Sequence, residues 1–366
     1  MVAIAIVSNA GLPHVEYALG RARAHVTAIR PAQCRGWLNQ RKRQRETCTS
    51  CAGSSTTGLT PELELSNSLQ QQPQQLRQQQ QQSALQRHCI VLDFDGVLLD
   101  SEGEVTQAAL NTAGRRWPHL FSNLSSAQLE QLADDMRRVR PVLVRGYEAL
   151  VMARLLLEDS GAVQSMLDGW GRMLPAAIAR WGEDSDDMAT QFEAERNAWM
   201  TERSGSWLAL HAPYPGVQQA YAACPFPLFL ATSKAAHRVS WLMKMVLGVE
   251  LSPSDPRLFA ALLPPEEAKA DALESICQCV APPKPDTQRT QPAAQPQLSV
   301  HFVDDRLDTL VAIARRSQLS HVRLYLAEWG YNTQEERRAA AENPRISVIS
   351  LQHFVCLLTT GSASSS

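Results

Sequence analysis

The sequence predicts an α/β protein with a doubly wound, mostly parallel sheet and a helical domain inserted after the first strand. Short apolar runs at 89–92, 228–231, 300–303 and 322–326 alternate with helical stretches, the pattern of parallel strands joined by helices. Between the first two runs, residues 103–212 have helical rather than strand periodicity. We therefore expect a helical domain placed after the first strand of another domain.

The first 60 residues are basic, with eight Arg and Lys against two Glu and hence a net charge of +6. A basic cluster at 41–45 precedes a stretch rich in Ser and Thr at 47–60. This composition predicts an organelle transit peptide, and it favours the chloroplast over the mitochondrion. A disordered basic tail on a cytoplasmic protein and a basic arm for nucleic acid are the alternatives.

Three other segments are poor in apolar residues. Residues 61–87 include ten Gln between positions 70 and 82, and such a stretch does not bury enough apolar surface to fold alone. We interpret it as a disordered linker. The insert at 281–297, with five Pro and four Gln, predicts a disordered surface loop, and the Ser-rich tail at 359–366 is expected to be disordered.

Within the helical stretch, one segment has a clear apolar face. Leu143, Tyr147, Leu150 and Leu155 recur at helical spacing, and Pro141 is suited to a helix start. Trp and Met residues recur in the same way further along. We interpret them as core residues rather than as contacts to a cofactor.

From position 214 onward, the strand and helix pattern returns. Helices are predicted at 235–247, 266–279 and 307–316, and short strands at 257–262 and 346–350. In an open sheet of this kind, ligands bind at the carboxyl ends of the strands.

Two carboxylates one residue apart follow the first strand. On a regular strand Asp93 and Asp95 point the same way, and Gly96 lets the chain turn away. The crowded negative charge is relieved by a cation or a shared proton. The pair therefore indicates Mg²⁺ and phosphate chemistry, with a carboxylate nucleophile beside an acid/base partner. A strand that simply ends in an Asp-Gly turn is the alternative.

Two later strands also end in polar groups. Thr232 follows the run at 228–231, and Asp304 and Asp305 follow the run at 300–303. Lys269 lies on the predicted helix between them. Because parallel strands bring their carboxyl ends to one edge of the sheet, these groups are expected to converge.

This ordered set resembles the haloacid dehalogenase-like (HAD) hydrolase superfamily over residues 88–358. Asp93-Phe94-Asp95-Gly96 matches its first motif, DxDG; Thr232, Lys269 and the Asp304-Asp305 pair match the other three. The resemblance implies a Rossmann-like core at 88–102 and 213–358, with a helical cap at 103–212. Stretches such as Trp329-Gly330-Tyr331-Asn332 are similar to plant and algal members of unassigned substrate. The common fourth motif, GDxxxD, is not met, because Asp304 replaces its glycine.

The resemblance implies a Mg²⁺-dependent phosphatase. Asp93 is the expected nucleophile, which forms an aspartyl phosphate, and Asp95 the expected general acid and base. The metal is expected to bind Asp93, the backbone carbonyl of Asp95, and either Asp304 or Asp305.

Phosphate binding is expected from Thr232, Ser233 and Lys269. For Thr232 a role as a helix cap is the alternative, and for Lys269 a solvated position on its helix. In the cap, Arg140, Arg145 and Tyr147 are candidate substrate contacts, with surface or core positions as the alternatives.

The expected partner is a small phosphorylated metabolite. A phosphomutase, or a HAD fold that binds a ligand or a protein without turnover, remains the alternative. The net charge over 366 residues is −2, and no apolar run approaches the ~20 residues that span a bilayer. Neither nucleic acid nor a membrane is an expected partner, and the oligomeric state is left open. The eight Cys lack the spacing of a zinc site, so we expect reduced, unligated thiols.

Overall fold

A computed structural model of the protein describes residues 88–159, 161–281 and 298–363. The predicted transit peptide and Gln-rich linker lie outside these residues, as does the insert from 282 to 297. The described strands are β1 His88–Leu92, β2 Leu99–Asp100, β3 Ala212–Pro213, β4 Leu228–Ala231, β5 Leu258–Phe259, β6 Ser299–Asp304, β7 Arg323–Ala327 and β8 Ile346–Ile349.

Six of these strands form one sheet in the order β5-β4-β1-β6-β7-β8, and every neighbouring pair is parallel. The first strand is therefore central, between β4 and β6. Its residues face two apolar clusters in alternation, with Ile90 and Leu92 in one and Cys89 and Val91 in the other. Burial on both faces explains why the strands read as continuous apolar runs. The predicted doubly wound α/β fold is confirmed.

Helices cover both faces of the sheet and form the insert. They are α1 Glu102–Arg116, α2 Pro118–Phe121, α3 Ser126–Val139, α4 Glu148–Glu158, α5 Ala162–Trp181, α6 Ser185–Glu202, α7 Ser204–Leu208, α8 Val217–Ala223, α9 Ala236–Met245, α10 Pro265–Val280, α11 Leu307–Ala314, α12 Gln334–Glu342 and α13 Leu351–Thr360. A 3₁₀ turn, Arg140–Val142, joins α3 to α4. None of the described helices combines the length and apolarity that crossing a membrane requires.

The insert comprises α1 to α7 and is attached to the sheet by two short strands. β2 leads into it and β3 leads out of it, and the two pair antiparallel, with Leu99 opposite Pro213 and Asp100 opposite Ala212. The two chain crossings therefore lie side by side, close to the end of β1. This insert is what we call the cap below.

Some elements differ from the predictions. The sequence pattern did not predict the helices α8, α12 and α13, which are short and lie next to predicted strands or turns. The tail predicted to be disordered from 359 is helical through Thr360, and Gly361 ends that helix with a φ of 79°, a backbone conformation that glycine adopts without steric cost.

Candidate active site

Asp93 lies directly beyond the end of β1. Its backbone N–H donates to the carbonyl of Val303 on β6 at 3.0 Å, so the sheet fixes its backbone. The side chain is 6% exposed. One carboxylate oxygen, Oδ2, lies 2.9 Å from Nζ of Lys269. The other, Oδ1, is buried and has no hydrogen-bond partner among the described residues.

Lys269 reaches this edge from α10. Its ammonium group donates to Oδ2 of Asp304 at 2.7 Å as well as facing Asp93, and the side chain is almost fully buried. Burial alone lowers the pKa of a lysine, but the carboxylates of Asp304 and Asp93 outweigh it and raise the pKa of Lys269. The lysine therefore stays charged at this site, and the alternative of a solvated helix position is wrong.

Asp305 is held on the opposite side of the cluster by the loop after β7. Its Oδ2 accepts the backbone N–H of Tyr331 at 2.8 Å. Gly96 and Gly330 both face it so closely that a Cβ atom would overlap it, at 2.0 Å from Oδ2 for Gly96 and 2.3 Å from Cβ for Gly330. Gly96 also has a φ of +79°. Two glycines thus make the space that Asp305 occupies.

The three carboxylates of Asp93, Asp304 and Asp305 form a buried acidic cluster. One oxygen of each lies within 4.8 Å of the others. Burial raises the pKa of Asp93, Lys269 lowers it, and the charge of Asp304 raises it again. The result is a pKa of about 6 for Asp93. Burial and the neighbouring charges of Asp304 and Asp93 raise the pKa of Asp305 to about 8. The single ammonium of Lys269 therefore does not neutralise the three carboxylates of the cluster.

This cluster fits a divalent cation. Three carboxylates and one ammonium leave two negative charges, and Oδ1 of Asp93 is a buried acceptor with no donor. Hard cations such as Mg²⁺ prefer carboxylate and carbonyl oxygens. The donor set and the unpartnered oxygen both match that chemistry.

Asp95 has a different environment from Asp93. Because β1 ends at Leu92, Asp93 and Asp95 lie beyond the regular strand on which the prediction of a shared direction was based, and Asp95 lies in the following turn. Its oxygens accept from Nζ of Lys234 at 2.8 and 2.9 Å and from Oγ of Ser101 at 2.7 Å. Burial raises its pKa, but Lys234 and Ser101 outweigh this effect, so the pKa of Asp95 lies below its usual range.

Thr232 lies at the end of β4 and is 1% exposed. Its hydroxyl oxygen accepts the backbone N–H of Lys234 at 3.2 Å. The next helix, α9, has Ala235 at its N-cap, so the alternative of Thr232 as a helix cap is wrong. Ser233 is exposed in the same turn.

Lys234 is a site residue that the sequence reasoning missed. It is 6% exposed and is the nearest cation to Asp95. A signal for it exists in the sequence, because it follows Thr232 by two residues at a strand end. A lone Lys before a helix is ordinarily solvated, so this spacing does not by itself identify a site residue.

The three cap candidates occupy different places. The guanidinium of Arg140 lies 4.0 Å from the ring centre of Tyr331, and its charge lowers the pKa of Asp95. Tyr147 is buried in the apolar core of the cap. Arg145 is exposed. The structure therefore brings Arg140, and not the other two, to the carboxylate edge of the sheet.

A buried ion pair lies behind Lys234. Arg196 on α6 donates to both carboxylate oxygens of Glu104 on α1, at 2.7 and 2.8 Å. Trp207 donates to the same carboxylate at 3.1 Å. Burial raises the pKa of Glu104, but the charges of Arg196 and then of Lys234 outweigh it. The pKa of Glu104 therefore lies far below its usual range. This pair fixes two cap helices next to the Asp95 side of the site.

Comparison with solved structures finds a similar fold in several bacterial proteins. One, described as a predicted phosphatase from Clostridium acetobutylicum, is 13% identical, with a TM-score of 0.42, and the match covers 74% of this chain and 97% of that one. Another, described as a predicted phosphoglycolate phosphatase from Haemophilus somnus, is 16% identical, with a TM-score of 0.39, covering 68% and 88%.

A third match is a haloacid dehalogenase-like family hydrolase from Streptococcus pneumoniae. It is 14% identical, with a TM-score of 0.38, and the match covers 71% of this chain and 92% of that one. No family model and no curated protein sequence matches the chain. Because these TM-scores lie below 0.5, the assignment of a function rests on the side chains at the sheet edge.

Proposed function

We propose that this chain is a Mg²⁺-dependent phosphatase of the HAD type that hydrolyses a small phosphorylated metabolite. The observation that carries the proposal is the environment of Asp93. It is buried at a strand end, has one oxygen on Lys269, and has the other oxygen without a donor inside an acidic cluster. The sheet and Lys269 hold this carboxylate in a fixed position, as a nucleophile requires, and its unpartnered oxygen is available to the cation.

In the first step, Asp93 attacks phosphorus and the bond from phosphorus to the leaving oxygen breaks. Asp95 gives a proton to that oxygen, and the alcohol leaves. Because Lys234 and Ser101 hold the pKa of Asp95 below its usual range in the free protein, Asp95 takes up this proton when the anionic ester binds beside it. In the second step, water attacks the phosphorus of the aspartyl phosphate, and Asp95 takes one proton from the water. Inorganic phosphate departs, and both carboxyl groups return to their starting states.

Lys269 and Thr232 assist the transferred group. The Lys269 ammonium already lies 2.9 Å from an Asp93 oxygen, so it is placed beside any phosphoryl group that Asp93 receives. Thr232 lies on the neighbouring strand end and offers its hydroxyl. Their charge and hydrogen bonding stabilise the negative oxygens of the phosphoryl group.

The Mg²⁺ ligands would be Asp93, Asp305 and the backbone carbonyl of Asp95. Asp304 is the weaker candidate for direct binding, because Lys269 takes its Oδ2 and the backbone N–H of Arg306 takes its Oδ1 at 2.9 Å. Asp305 uses Oδ2 for the Tyr331 amide. When bound, the cation neutralises the charge of the acidic cluster and of the phosphoryl oxygens.

The test is a phosphatase screen of the full chain over phosphorylated metabolites in Mg²⁺. We expect turnover by the wild type and a loss of at least about a thousandfold in kcat for Asp93→Asn. Asp308→Asn is the matched control. It makes the same change from a carboxylate to an amide, but on an exposed residue in the first turn of α11. Full activity in Asp93→Asn, or equal losses in both variants, would contradict the proposal.

For the N-terminal 60 residues we propose a chloroplast transit peptide. The support is the net charge of +6 and the late concentration of Ser and Thr. A fusion of residues 1–60 to a fluorescent protein is expected to enter chloroplasts. Fluorescence confined to the cytosol, or to mitochondria, would contradict this assignment.

A further inference from the structure

Arg140 is a cation at the active site that makes neither an ion pair nor a hydrogen bond with a carboxylate of the described residues, although its charge acts on Asp95 and Glu102. Its Nε is buried and makes no hydrogen bond. Its one close contact is the face of the Tyr331 ring at 4.0 Å. The other site cations, Lys234 and Lys269, each have a carboxylate within 3 Å. Arg140 is half-buried, and its guanidinium N–H groups are not used by any carboxylate of the described residues, so they are available to a bound anion.

Arg140 is also held in a fixed place. On one side, Tyr331 beneath it is fixed by its hydroxyl, which donates to Asp100 at 2.7 Å and accepts the backbone N–H of Ser101 at 2.8 Å. On the other side, Arg306 donates to the carbonyl of Pro141, the next residue, at 3.3 Å. Arg306 directly follows the acidic cluster. The core of the protein therefore fixes the turn that carries Arg140.

The position of Arg140 is on the Asp95 side of the site. The Tyr331 ring beneath its guanidinium accepts the backbone N–H of Ser101 through its hydroxyl, and the Ser101 hydroxyl donates to Asp95 at 2.7 Å. Under the proposed mechanism, Asp95 faces the leaving group and Asp93 faces the phosphoryl group. Arg140 therefore lies where the leaving group is bound, and it is not needed for the phosphoryl group itself.

From this placement we propose that the substrate carries a second anionic group on its leaving-group side, and that Arg140 binds it. This inference rests on the proposed phosphatase function and narrows its substrate class. The planar guanidinium binds a carboxylate or a phosphate through paired N–H groups. The shared chemistry is an oxyanion with two or more acceptor oxygens, and the ring of Tyr331 orients the guanidinium that receives it.

The experiment measures kcat/KM of the full chain in Mg²⁺ on three esters with the same three-carbon chain. They are propyl phosphate, 3-hydroxypropionate phosphate and 1,3-propanediol bisphosphate, whose far ends are neutral, a carboxylate and a phosphate. We expect the wild type to prefer at least one of the two esters with an anionic far end over propyl phosphate by about ten- to a hundredfold. The better of the two identifies the second group.

Arg140→Ala is expected to remove that preference, so that in this variant kcat/KM for the esters with an anionic far end falls to within about threefold of its own value for propyl phosphate. Arg140→Lys keeps the charge but loses the paired geometry, so it should restore part of the preference. Arg138→Ala is the matched control, because Arg138 lies two residues before Arg140 in the last turn of α3, is 64% exposed and pairs with Asp135.

Three outcomes would contradict the inference, and they are distinguishable. Equal kcat/KM on all three esters in the wild type would contradict the proposal of a second anionic group on the substrate, and it would leave the proposed phosphatase function unaffected. Equal losses on all three in Arg140→Ala would mean that Arg140 supports the structure through Tyr331. Hydrolysis of none of the three would contradict both proposals together.

Discussion

Gly330 shows how one missing side chain shapes the site. A Cβ atom at this position would lie 2.3 Å from Cβ of Asp305 and 2.5 Å from the carbonyl oxygen of Gly96. Both neighbours are fixed, the first by the Tyr331 amide and the second by the turn after β1. The overlap is therefore relieved only by moving the acidic cluster.

We expect Gly330→Ala to destabilise the fold by about 1–3 kcal/mol, the usual cost of overpacking, and to lower kcat at least tenfold in the folded fraction. Urea unfolding and steady-state kinetics on the same preparation measure the two effects. Gly171→Ala is the control, because Gly171 lies in α5 with no atom within 4 Å of its added Cβ. That change should be neutral, or stabilising by up to ~1 kcal/mol. Similar effects from both substitutions would show that the close approach at Gly330 is unimportant.

At the scale of single residues, the sequence predicted the acidic residues better than their surroundings. Asp93, Lys269, Asp304 and Asp305 converge as expected, because parallel strands share one edge. The partners of Asp95, Lys234 and Ser101, were not predictable, since they depend on where the strand stops and the turn begins. The same holds for Tyr331, whose contacts come from a loop after β7.

Among the elements, α1 and α6 of the cap are joined by the buried pair of Glu104 and Arg196. Their side chains are 0% and 8% exposed. Arg196→Met would leave the Glu104 carboxylate buried without its cation, which costs about 3–5 kcal/mol. We expect the double variant Glu104→Gln, Arg196→Met to recover most of that loss, because neither partner is then charged.

Thermal or urea unfolding of the single and double variants measures this coupling. Lys244→Met is the control, because Lys244 and Glu250 form an ion pair that is 59% and 79% exposed. Exposed pairs of this kind contribute about 1 kcal/mol or less. A double variant as unstable as Arg196→Met alone would show that the loss does not come from a buried Glu104 carboxylate without its cation.

The elements themselves were predicted unevenly. The strands of the sheet are buried on both faces, so continuous apolar runs revealed β1, β4, β6 and β7. The helix α12 has one fully buried residue, Ala340, and its start is set by a Thr333 capping box. A helix with so little buried surface has almost no apolar periodicity to read. Local capping and tertiary packing, rather than sequence pattern, define it.

For the molecule as a whole, the acidic cluster ties stability to pH and to metal. The folded-state pKa is about 6 for Asp93 and about 8 for Asp305, both above the usual 3.8. Between pH 4 and 8 the folded protein holds protons that the unfolded chain has lost. The contribution of these groups to stability is therefore full at low pH and is lost as pH rises to about 8.

Mg²⁺ competes with those protons, so its stabilising effect should be larger at pH 8 than at pH 6. At a hundredfold excess over its dissociation constant, the cation adds about 2.7 kcal/mol. Melting of the full chain in MgCl₂ and in EDTA at both pH values measures the difference. Asp305→Asn should reduce the effect of Mg²⁺, while Asp308→Asn should leave it unchanged. A Mg²⁺ effect that is larger at pH 6, or that persists in Asp305→Asn, would contradict this assignment.

The order of strands and helices along the sequence predicted only part of the arrangement of the whole molecule. The sequence predicted a parallel sheet with an insert after its first strand, and the structure has both. The central position of β1 and the pairing of β2 with β3 depend on contacts across more than a hundred residues of chain. No local pattern encodes such contacts, so the closeness of Arg140 to Asp95 was not derivable from spacing.

The central claim is that Asp93 becomes covalently phosphorylated, and trapping the phosphoenzyme tests it most directly. The full chain, mixed with Mg²⁺ and p-nitrophenyl phosphate and quenched within one turnover, is reduced with borohydride, which converts an aspartyl phosphate to homoserine. Mass spectrometry is expected to find homoserine at position 93 in the wild type and not in Asp93→Asn. Continued turnover with unmodified Asp93, or homoserine at Asp95, Asp304 or Asp305 instead, would contradict the claim.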